Sequence, residues 1–321
     1  MRAARITGRI PRYQRGAALL TAMIIVTLVA TLAAAMVWQQ WRAVQVEAAE
    51  RARVQSAWIL SGALDFAKLI LREDMNGRTK QITALTEPWA TPLAEARLST
   101  FLAVDKTNAD DGPEAFLSGN INDALARYNL TNLVGTGANG LAERKVMERL
   151  CQSLSLDVGL AARIANGLTE ATNPTSAAAP LLPRTVAQLT WLGIDQASVQ
   201  ALQRYVVLLP AVAKAINVNT ASKEVLMAVL DLDASSASRL IGIRQHTPFE
   251  TVDSFRAELK SQLPVTGNIA VDSNFFEVTG RLRLADRVLT ERSLVQRIPP
   301  PTRQINVLQR ERIASLEQVG A

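Results

Sequence analysis

The side chains that most often carry out catalysis are scarce in this chain. It contains one histidine, His246, and one cysteine, Cys151. His246 precedes a Thr-Pro turn without a serine or cysteine motif beside it, and two histidine ligands for a transition metal do not exist. Cys151 lies in an apolar helical stretch, where we expect a small core residue, and no intrachain disulfide can form. The sequence therefore predicts a protein that is not an enzyme.

One glycine-rich segment has the spacing of a dinucleotide-binding loop. Gly135-Thr136-Gly137-Ala138-Asn139-Gly140 precedes a predicted helix. A dinucleotide site also needs a βαβ unit and an acidic residue about 20 residues further on. The residues that follow continue helically through Leu156 instead. We therefore expect a flexible turn here and no cofactor.

A second segment raises the question of nucleic-acid binding. Ile216-Asn217-Val218-Asn219-Thr220-Ala221 and the two predicted helices after it resemble the helix-hairpin-helix unit of membrane-anchored competence DNA receptors. Such a unit needs a glycine-rich hairpin whose N–H groups approach phosphate. Here Asp231 and Asp233 occupy the hairpin, and residues 184–260 contain eight basic and seven acidic side chains. So small a net charge predicts no strong binding to nucleic acid.

The element that must position the rest is an apolar segment near the N-terminus. Residues 17–37 contain no charged side chain. Roughly 21 residues at about 1.5 Å each make a helix just long enough to cross a bilayer. Five arginines and no acid precede it, which predicts a cytoplasmic N-terminus and an exported remainder. They are Arg2, Arg5, Arg9, Arg12 and Arg15. Trp38 and Trp41 follow where an interfacial aromatic belt belongs.

The junction before this segment carries a candidate processing site. Arg15-Gly16 followed by Ala17-Ala18-Leu19-Leu20-Thr21 resembles a class III prepilin leader, which a prepilin peptidase cuts after the glycine. The resemblance implies cleavage after Gly16, N-methylation of Ala17 and a membrane helix that stays attached. Removal of residues 1–16 lowers the net charge from +6 to +1, so the positive charge is mostly a targeting signal. A plain signal anchor with a chance glycine is the alternative.

Helical periodicity continues beyond the membrane segment. One stripe recurs at spacings of three and four residues, which favours a single helix from about Ala17 to about Glu73, ended by Asn76-Gly77. The stripe consists of Ala57, Leu60, Leu64, Ala67 and Leu71. Half of this helix is expected to lie in lipid and half to pack on a globular domain.

The remaining patterns predict an α+β fold. Strand and turn are expected over residues 120–133, a helix over Leu141–Leu156 and a linker over Ser176–Pro183. An all-α block then comprises Thr185–Leu192, Gln196–Leu208, Ser222–Leu230, Ala234–Gln245 and Thr251–Gln262. Near-alternating residues predict strands over Phe275–Leu284 and Arg287–Arg297, with a third over Gln304–Leu308. The simplest arrangement inserts the helical block between strands of a sheet that packs on the long helix.

Taken in order, several segments resemble the large minor pseudopilin of type II secretion systems, the K class (general secretion pathway protein K family). Besides the leader at Gly16, they are residues 57–63, 119–124, 127–133, 216–221 and 276–281. The resemblance implies a pilin-like antiparallel sheet and a non-enzymatic subunit that caps or initiates a periplasmic pseudopilus. The alternative is a tip subunit of a type IV pilus, or a competence DNA receptor.

The resemblance also implies a location, partners and domain boundaries. The chain would be a single-pass protein of the bacterial inner membrane that meets prepilin peptidase and joins other minor pseudopilins, with no nucleic-acid partner. The expected domains are the leader 1–16, the membrane helix 17–37, the first part of the pilin-like domain 38–140, an inserted helical domain 141–264 and the C-terminal strands and tail 265–321. Residues 185–262 form the helix-hairpin-helix part.

The chain departs from the pilin pattern at Thr21. Most pilin-like proteins carry glutamate there, and the resemblance implies that this glutamate neutralises the N-terminal amine of the subunit above. A carboxylate in lipid without such a partner costs several kcal/mol. A subunit with none above it has no amine to meet, so Thr21 fits a tip position. The alternative is that Thr21 is a tolerated small residue in a membrane helix.

A second departure concerns calcium, which relatives can bind through acidic loops. The segment Thr169-Glu170-Ala171-Thr172-Asn173-Pro174 offers one carboxylate, whereas hard cations prefer several oxygen ligands. The only dense acidic stretch nearby contains Asp105, Asp110, Asp111 and Glu114. These four residues are weak calcium candidates, and a solvated loop is the expected alternative.

Overall fold

The computed structural model describes residues 13–77, 81–98, 115–135, 137–173, 178–213, 215–259, 268–284 and 287–313. Residues 13–15 are described as backbone only. The longest element is helix α1, Tyr13–Gly77. This confirms the single long helix that the apolar periodicity predicted. The chain divides into two compact units, residues 1–58 and residues 59–321.

The first unit is described as the N-terminal part of α1. Its residues from Gly16 to Val37 are exposed, and α1 is long and apolar enough to cross a membrane. Ion pairs begin only beyond the tryptophans, where Glu47 pairs with Arg51 and Glu50 with Arg53. Apolar and charged residues therefore occupy separate lengths of the same helix.

The second unit contains a five-stranded antiparallel sheet in the order β1-β2-β7-β8-β9. Its strands are β1 Leu93–Arg97, β2 Ala115–Asp123, β7 Phe275–Leu284, β8 Arg287–Ile298 and β9 Gln304–Ile313. Short parallel pairs join β3 Tyr128–Asn129 to β4 Val206–Val207, and β5 Ile216–Asn217 to β6 Ile269–Ala270.

The C-terminal part of α1 packs on one face of the sheet. Leu64, Ala67 and Leu71 lie in a buried cluster with apolar residues of β2, β7, β8 and β9. Trp89 adds an edge-to-face contact with Phe276 at 5.2 Å between ring centroids. Strands and helix each present one apolar face, so they bury it against each other, as the sequence predicted.

A helical block occupies the chain between β2 and β7, which are neighbours in the sheet. Its helices are α2 Gly137–Ser153, α3 Gly159–Thr172, α4 Gln196–Leu202, α5 Lys223–Leu230, α6 Ala234–His246 and α7 Val252–Glu258, with a 3₁₀ helix at Val186–Leu192. They surround their own large apolar cluster. The expected α+β class, with helices inserted between strands, is confirmed.

Some predicted elements were wrong in extent or missed. The helix expected over Gln196–Leu208 ends at Leu202, because Val206–Val207 pairs with Tyr128–Asn129 instead. The block is therefore not purely helical. Strand β1 was missed because it is a short, mostly exposed edge strand after a proline, and α3 was missed although its apolar residues repeat helically. Helix α7 ends at Glu258, and the rest of the predicted segment beyond Leu259 lies outside the described residues.

Candidate assembly surface and buried joint

The membrane segment has one polar position where pilin-like proteins carry an acid. The Thr21 hydroxyl donates to the carbonyl oxygens of Ala18 at 2.9 Å and Ala17 at 3.1 Å. Its one donor hydrogen is therefore used inside its own helix, and it carries no charge that a neighbouring subunit must neutralise. Gly16 has open space where a Cβ would stand, so packing in this chain does not require a glycine there.

Two glycines face each other where β2 pairs with β7. Gly119 of β2 lies opposite Gly280 of β7. A Cβ on Gly280 would stand 3.4 Å from the Leu60 side chain of α1, and one on Gly119 would stand 2.6 Å from the carbonyl oxygen of Thr279. The close approach of the β7 backbone therefore requires a glycine at position 119, whereas a Cβ at position 280 would be in ordinary contact with α1.

A buried carboxylate, Asp123, lies where the sheet meets the helical block. It accepts hydrogen bonds from Leu125 N at 2.8 Å, Asn217 Nδ2 at 2.8 Å and Thr220 Oγ1 at 2.6 Å. Burial raises the pKa of Asp123 above 3.8, and the hydrogen bonds from Ser273, Thr220, Asn217 and Leu125 oppose that rise. The carboxylate therefore ties β2 to β5 and the turn after it.

A buried arginine extends the same network to α1. Arg297 of β8 forms an ion pair with Asp74 of α1 at 2.6 Å, and both side chains are less than one-tenth exposed. Its other nitrogen donates to Thr83 Oγ1 at 2.9 Å and to the Ser273 carbonyl at 2.6 Å. Asn217 Nδ2 donates to the Thr83 carbonyl at 2.9 Å, which closes the path to Asp123. We call this network the buried joint; its members are Asp74, Thr83, Asp123, Asn217, Ser273 and Arg297.

Two further asparagines fix the block by pairing backbone groups that secondary structure leaves open. Asn219 Nδ2 donates to the Phe249 carbonyl at 2.9 Å, and its Oδ1 accepts from Phe249 N at 2.9 Å. Asn129 accepts from Leu209 N at 3.0 Å and donates to the Ala213 carbonyl at 3.0 Å. Residues 216–221, which resembled a DNA-binding motif, thus serve as a structural connection.

Comparison with known proteins identifies the family. The family model "Type II secretion system (T2SS), protein K" matches residues 216–278, and another model of the same description matches residues 126–211. The type II secretion system protein K of Pseudomonas aeruginosa is 28% identical over 313 residues, covering 89% of this chain and 90% of that protein. The chain belongs to the type II secretion system protein K family. It is a minor pseudopilin of type II secretion, and its long apolar helix indicates a single-pass membrane anchor.

The fold of this protein K family member also matches a solved structure. One chain in the crystal structure of the GspK–GspI–GspJ complex from the enterotoxigenic Escherichia coli type 2 secretion system matches with a TM-score of 0.64. The sequence identity is 20%, and the match covers 83% of this chain and 99% of that chain. At this identity the similarity establishes a shared fold.

In the segment that resembles a helix-hairpin-helix unit, a carboxylate already occupies the N-terminus of α6. Asp233 caps α6 by accepting from the N–H groups of Ser235 at 2.9 Å and Ser236 at 3.0 Å. The Ser235 hydroxyl and the other bonds to the cap lower the pKa of Asp233. Arg244 is buried and donates to the Val218 carbonyl. The N–H groups that could meet a phosphate therefore already meet a carboxylate.

The glycine-rich segment is the close-packed first turn of α2 together with Gly135 shortly before it. A Cβ on Gly140 would stand 2.1 Å from the Gly135 carbonyl oxygen, and Gly137 has a positive φ of 66°. Both glycines are required by local geometry. The segment leads into α2 and α3 rather than into a βαβ unit.

The remaining candidate side chains are structural or lie beyond the described ranges. Cys151 is fully buried, as predicted, and burial raises the pKa of its thiol to about 11. His246 is exposed in the last turn of α6. Within the described residues no group of three or more His, Cys, Asp or Glu side chains could hold a metal ion. The four calcium candidates, Asp105, Asp110, Asp111 and Glu114, lie outside those residues. The first four leader arginines also lie outside them, namely Arg2, Arg5, Arg9 and Arg12.

Sequence reasoning did not find the buried joint. It named residues 216–221 as a motif but assigned no role to Asn217 or Asn219. It also did not single out Asp123 or Arg297. The available signal was the polar residue within an otherwise apolar pattern, as in the Ile-Asn-Val-Asn alternation. A polar side chain at a core position is expected to have a specific partner.

Proposed function

We propose that this protein caps or initiates the periplasmic pseudopilus as a non-enzymatic tip subunit. The observation that carries this proposal is Thr21. Its hydroxyl bonds within its own helix, so no charged group at this position requires a subunit above. A glutamate there would need the amine of such a subunit to avoid an unpaired charge in the membrane.

The helical block supports the same role. It spans the chain between β2 and β7 and has its own apolar core, so it adds a second body to a pilin-like sheet. The buried joint fixes part of it to the sheet through Asp123 and Asn217. We expect this added bulk to be compatible with one position at the filament end and incompatible with repeated stacking along a tightly packed shaft.

The partners we propose are other minor pseudopilins. The related complex contains GspK, GspI and GspJ, and α1 offers a contact surface for such subunits. On this helix Phe66 is 51% exposed and Leu69 is 47% exposed. Gly62 lies one turn before Phe66 with open space at its Cβ position, so a partner helix could approach closely.

We further propose that prepilin peptidase cuts after Gly16 and that Ala17 is methylated. Residues 1–16 would stay in the cytoplasm, α1 would anchor the protein in the inner membrane, and residues beyond about 41 would extend into the periplasm. The boundaries 1–16, 17–37, 38–140, 141–264 and 265–321 are the domain division that goes with this topology. The proposed role requires no cofactor.

The test is to produce the full chain with the other minor pseudopilins of its secretion system. We expect one copy per complex by light scattering and immunogold label at filament ends only. Label that repeats along the shaft, or several copies per complex, would refute the tip assignment. Phe66→Ser should weaken the complex, whereas exposed Leu181→Ser, in the segment between α3 and the 3₁₀ helix, serves as a matched control.

A further inference from the structure

A groove lies between the helical block and the sheet, with Glu277 and Arg292 on the sheet face turned away from α1 and with Ile121 and Trp89 at one end. Two adjoining cavities of about 270 and about 520 Å³ form it, and they share the lining residues Arg127, Gln203, Glu277 and Arg292. Glu277 alternates along β7 with Phe276 and Val278, which face α1, so its side chain lies on the opposite face. We call this feature the arginine groove.

Two of its acidic side chains, Glu277 and Glu311, are paired with arginines, and Asp123 at its inner wall is buried and accepts hydrogen bonds from Asn217 and Thr220. Glu277 pairs with Arg127 at 2.9 Å and with Arg292 at 3.4 Å. Glu311 pairs with Arg292 at 3.5 Å. Each glutamate therefore has a guanidinium beside it, and neither is available to balance further positive charge.

Two additional arginines line the groove without such partners. Arg184 lies at its end near β9, and Arg204 lies at its end near Trp89. Both residues are exposed, and within the described ranges neither guanidinium has a carboxylate within ion-pair distance. The groove thus carries an unneutralised positive charge toward each end.

The rest of the lining suits an extended chain. Gln200, Gln203 and Gln309 provide amide groups that can donate to and accept from a peptide backbone. Leu208 and Leu294 provide apolar surface between the charged positions. Guanidinium groups bind carboxylates through two parallel hydrogen bonds, which gives such contacts both energy and direction.

A nucleic-acid strand fits this lining less well. A phosphate backbone carries its charges in an unbroken row, with one per about 1.7 Å of duplex axis. Glu277 and Glu311 lie among the arginines and would repel that row. A peptide with spaced carboxylates can place them at Arg184 and Arg204 and place neutral residues beside the glutamates.

We infer that the arginine groove binds an extended acidic segment of a neighbouring minor pseudopilin. This inference rests on the proposed assembly with other minor pseudopilins, and it adds the surface and the charge that select the neighbour. Two new ion pairs, formed by Arg184 and Arg204 with carboxylates of the neighbour, are expected to govern the choice of partner and the rate of association more than the total affinity.

The first test uses the full chain in detergent and a short labelled peptide of alternating glutamate and alanine. We expect binding that weakens as salt is raised, and no binding of the peptide with glutamine in place of glutamate. Arg184→Gln with Arg204→Gln should weaken binding about tenfold. The control Arg163→Gln with Arg256→Gln removes the same charge from exposed sites elsewhere and should change the affinity for the peptide less than about twofold. Equal binding of both peptides, equal effects of both variant pairs, or no binding at about 1 mM peptide would overturn the inference.

The second test repeats both variant pairs in the complex with the other minor pseudopilins. We expect the groove pair alone to lower the affinity. If the wild-type complex forms and the groove pair leaves it unchanged, the groove inference fails and the proposed assembly stands. If the wild-type chain forms no complex, both fail. Displacement of the peptide by duplex DNA at low concentration would assign the groove to nucleic acid and overturn the inference.

Discussion

Replacement of Arg297 by methionine is expected to destabilise the second unit strongly. Arg297 is 2% exposed, and it bonds to Asp74, Thr83 and Ser273. Methionine keeps apolar contact with Phe276, over which the guanidinium lies at 4.7 Å, but it removes the buried guanidinium that pairs with Asp74. Breaking a buried pair by removing one member costs about 3–5 kcal/mol. That is a large part of the stability of a typical domain.

The assay is urea unfolding of the full chain in detergent, with circular dichroism as the signal. Arg256→Met is the matched control, because Arg256 is half exposed and its partner Asp253 is 90% exposed. The control should lose less than about 1 kcal/mol. The double variant Asp74→Asn with Arg297→Met should lose less than the sum of its two single variants, because the two side chains contact each other and each single variant removes the same ion pair.

The reasoning would be refuted if Arg297→Met lost no more stability than Arg256→Met. Additive single variants would also contradict it, since additivity would mean that Asp74 and Arg297 act independently. A loss confined to the sheet, with the helical signal retained, would show that the buried joint does not couple the block to the sheet.

Three further predictions use other features. Gly119→Ala should cost about 1–3 kcal/mol of unfolding free energy, because its Cβ would meet the Thr279 carbonyl oxygen at 2.6 Å. The control Gly242→Ala, in α6 with open space at its Cβ position, should be neutral or stabilising, and urea unfolding of both variants measures the difference. Burial raises the pKa of Asp123 in the folded chain, so the folded state binds this proton more tightly than the unfolded state does. The wild type should therefore gain stability relative to Asp123→Asn as the pH falls from the folded pKa toward 3.8, and urea unfolding at a series of pH values tests the sign. Gly16→Leu should leave an uncleaved precursor, measured by mass spectrometry of the membrane-extracted chain, and a wild-type N-terminus near Val44 would contradict the leader.

The sequence was sufficient to predict elements whose signal is local. The buried stripe of α1 and the strands β7 and β8 follow from periods of about 3.6 and 2 residues, which each segment displays by itself. The family was also predictable, because several short motifs occur in a specific order along the chain. These properties depend on neighbours along the sequence and not on the path of the chain through space.

The tertiary structure alone decided which distant residues meet. Asp74 and Arg297 are 223 positions apart, and Asp123 and Asn217 are 94 positions apart. Nothing in their local sequence specifies the partner, because pairing depends on the register of the sheet and on where the helical block returns to it. The same holds for Val206 and Val207, whose apolar character fits a helix or a strand equally well. Pairing with β3 made them a strand, because a backbone partner from a distant segment satisfied their hydrogen bonds.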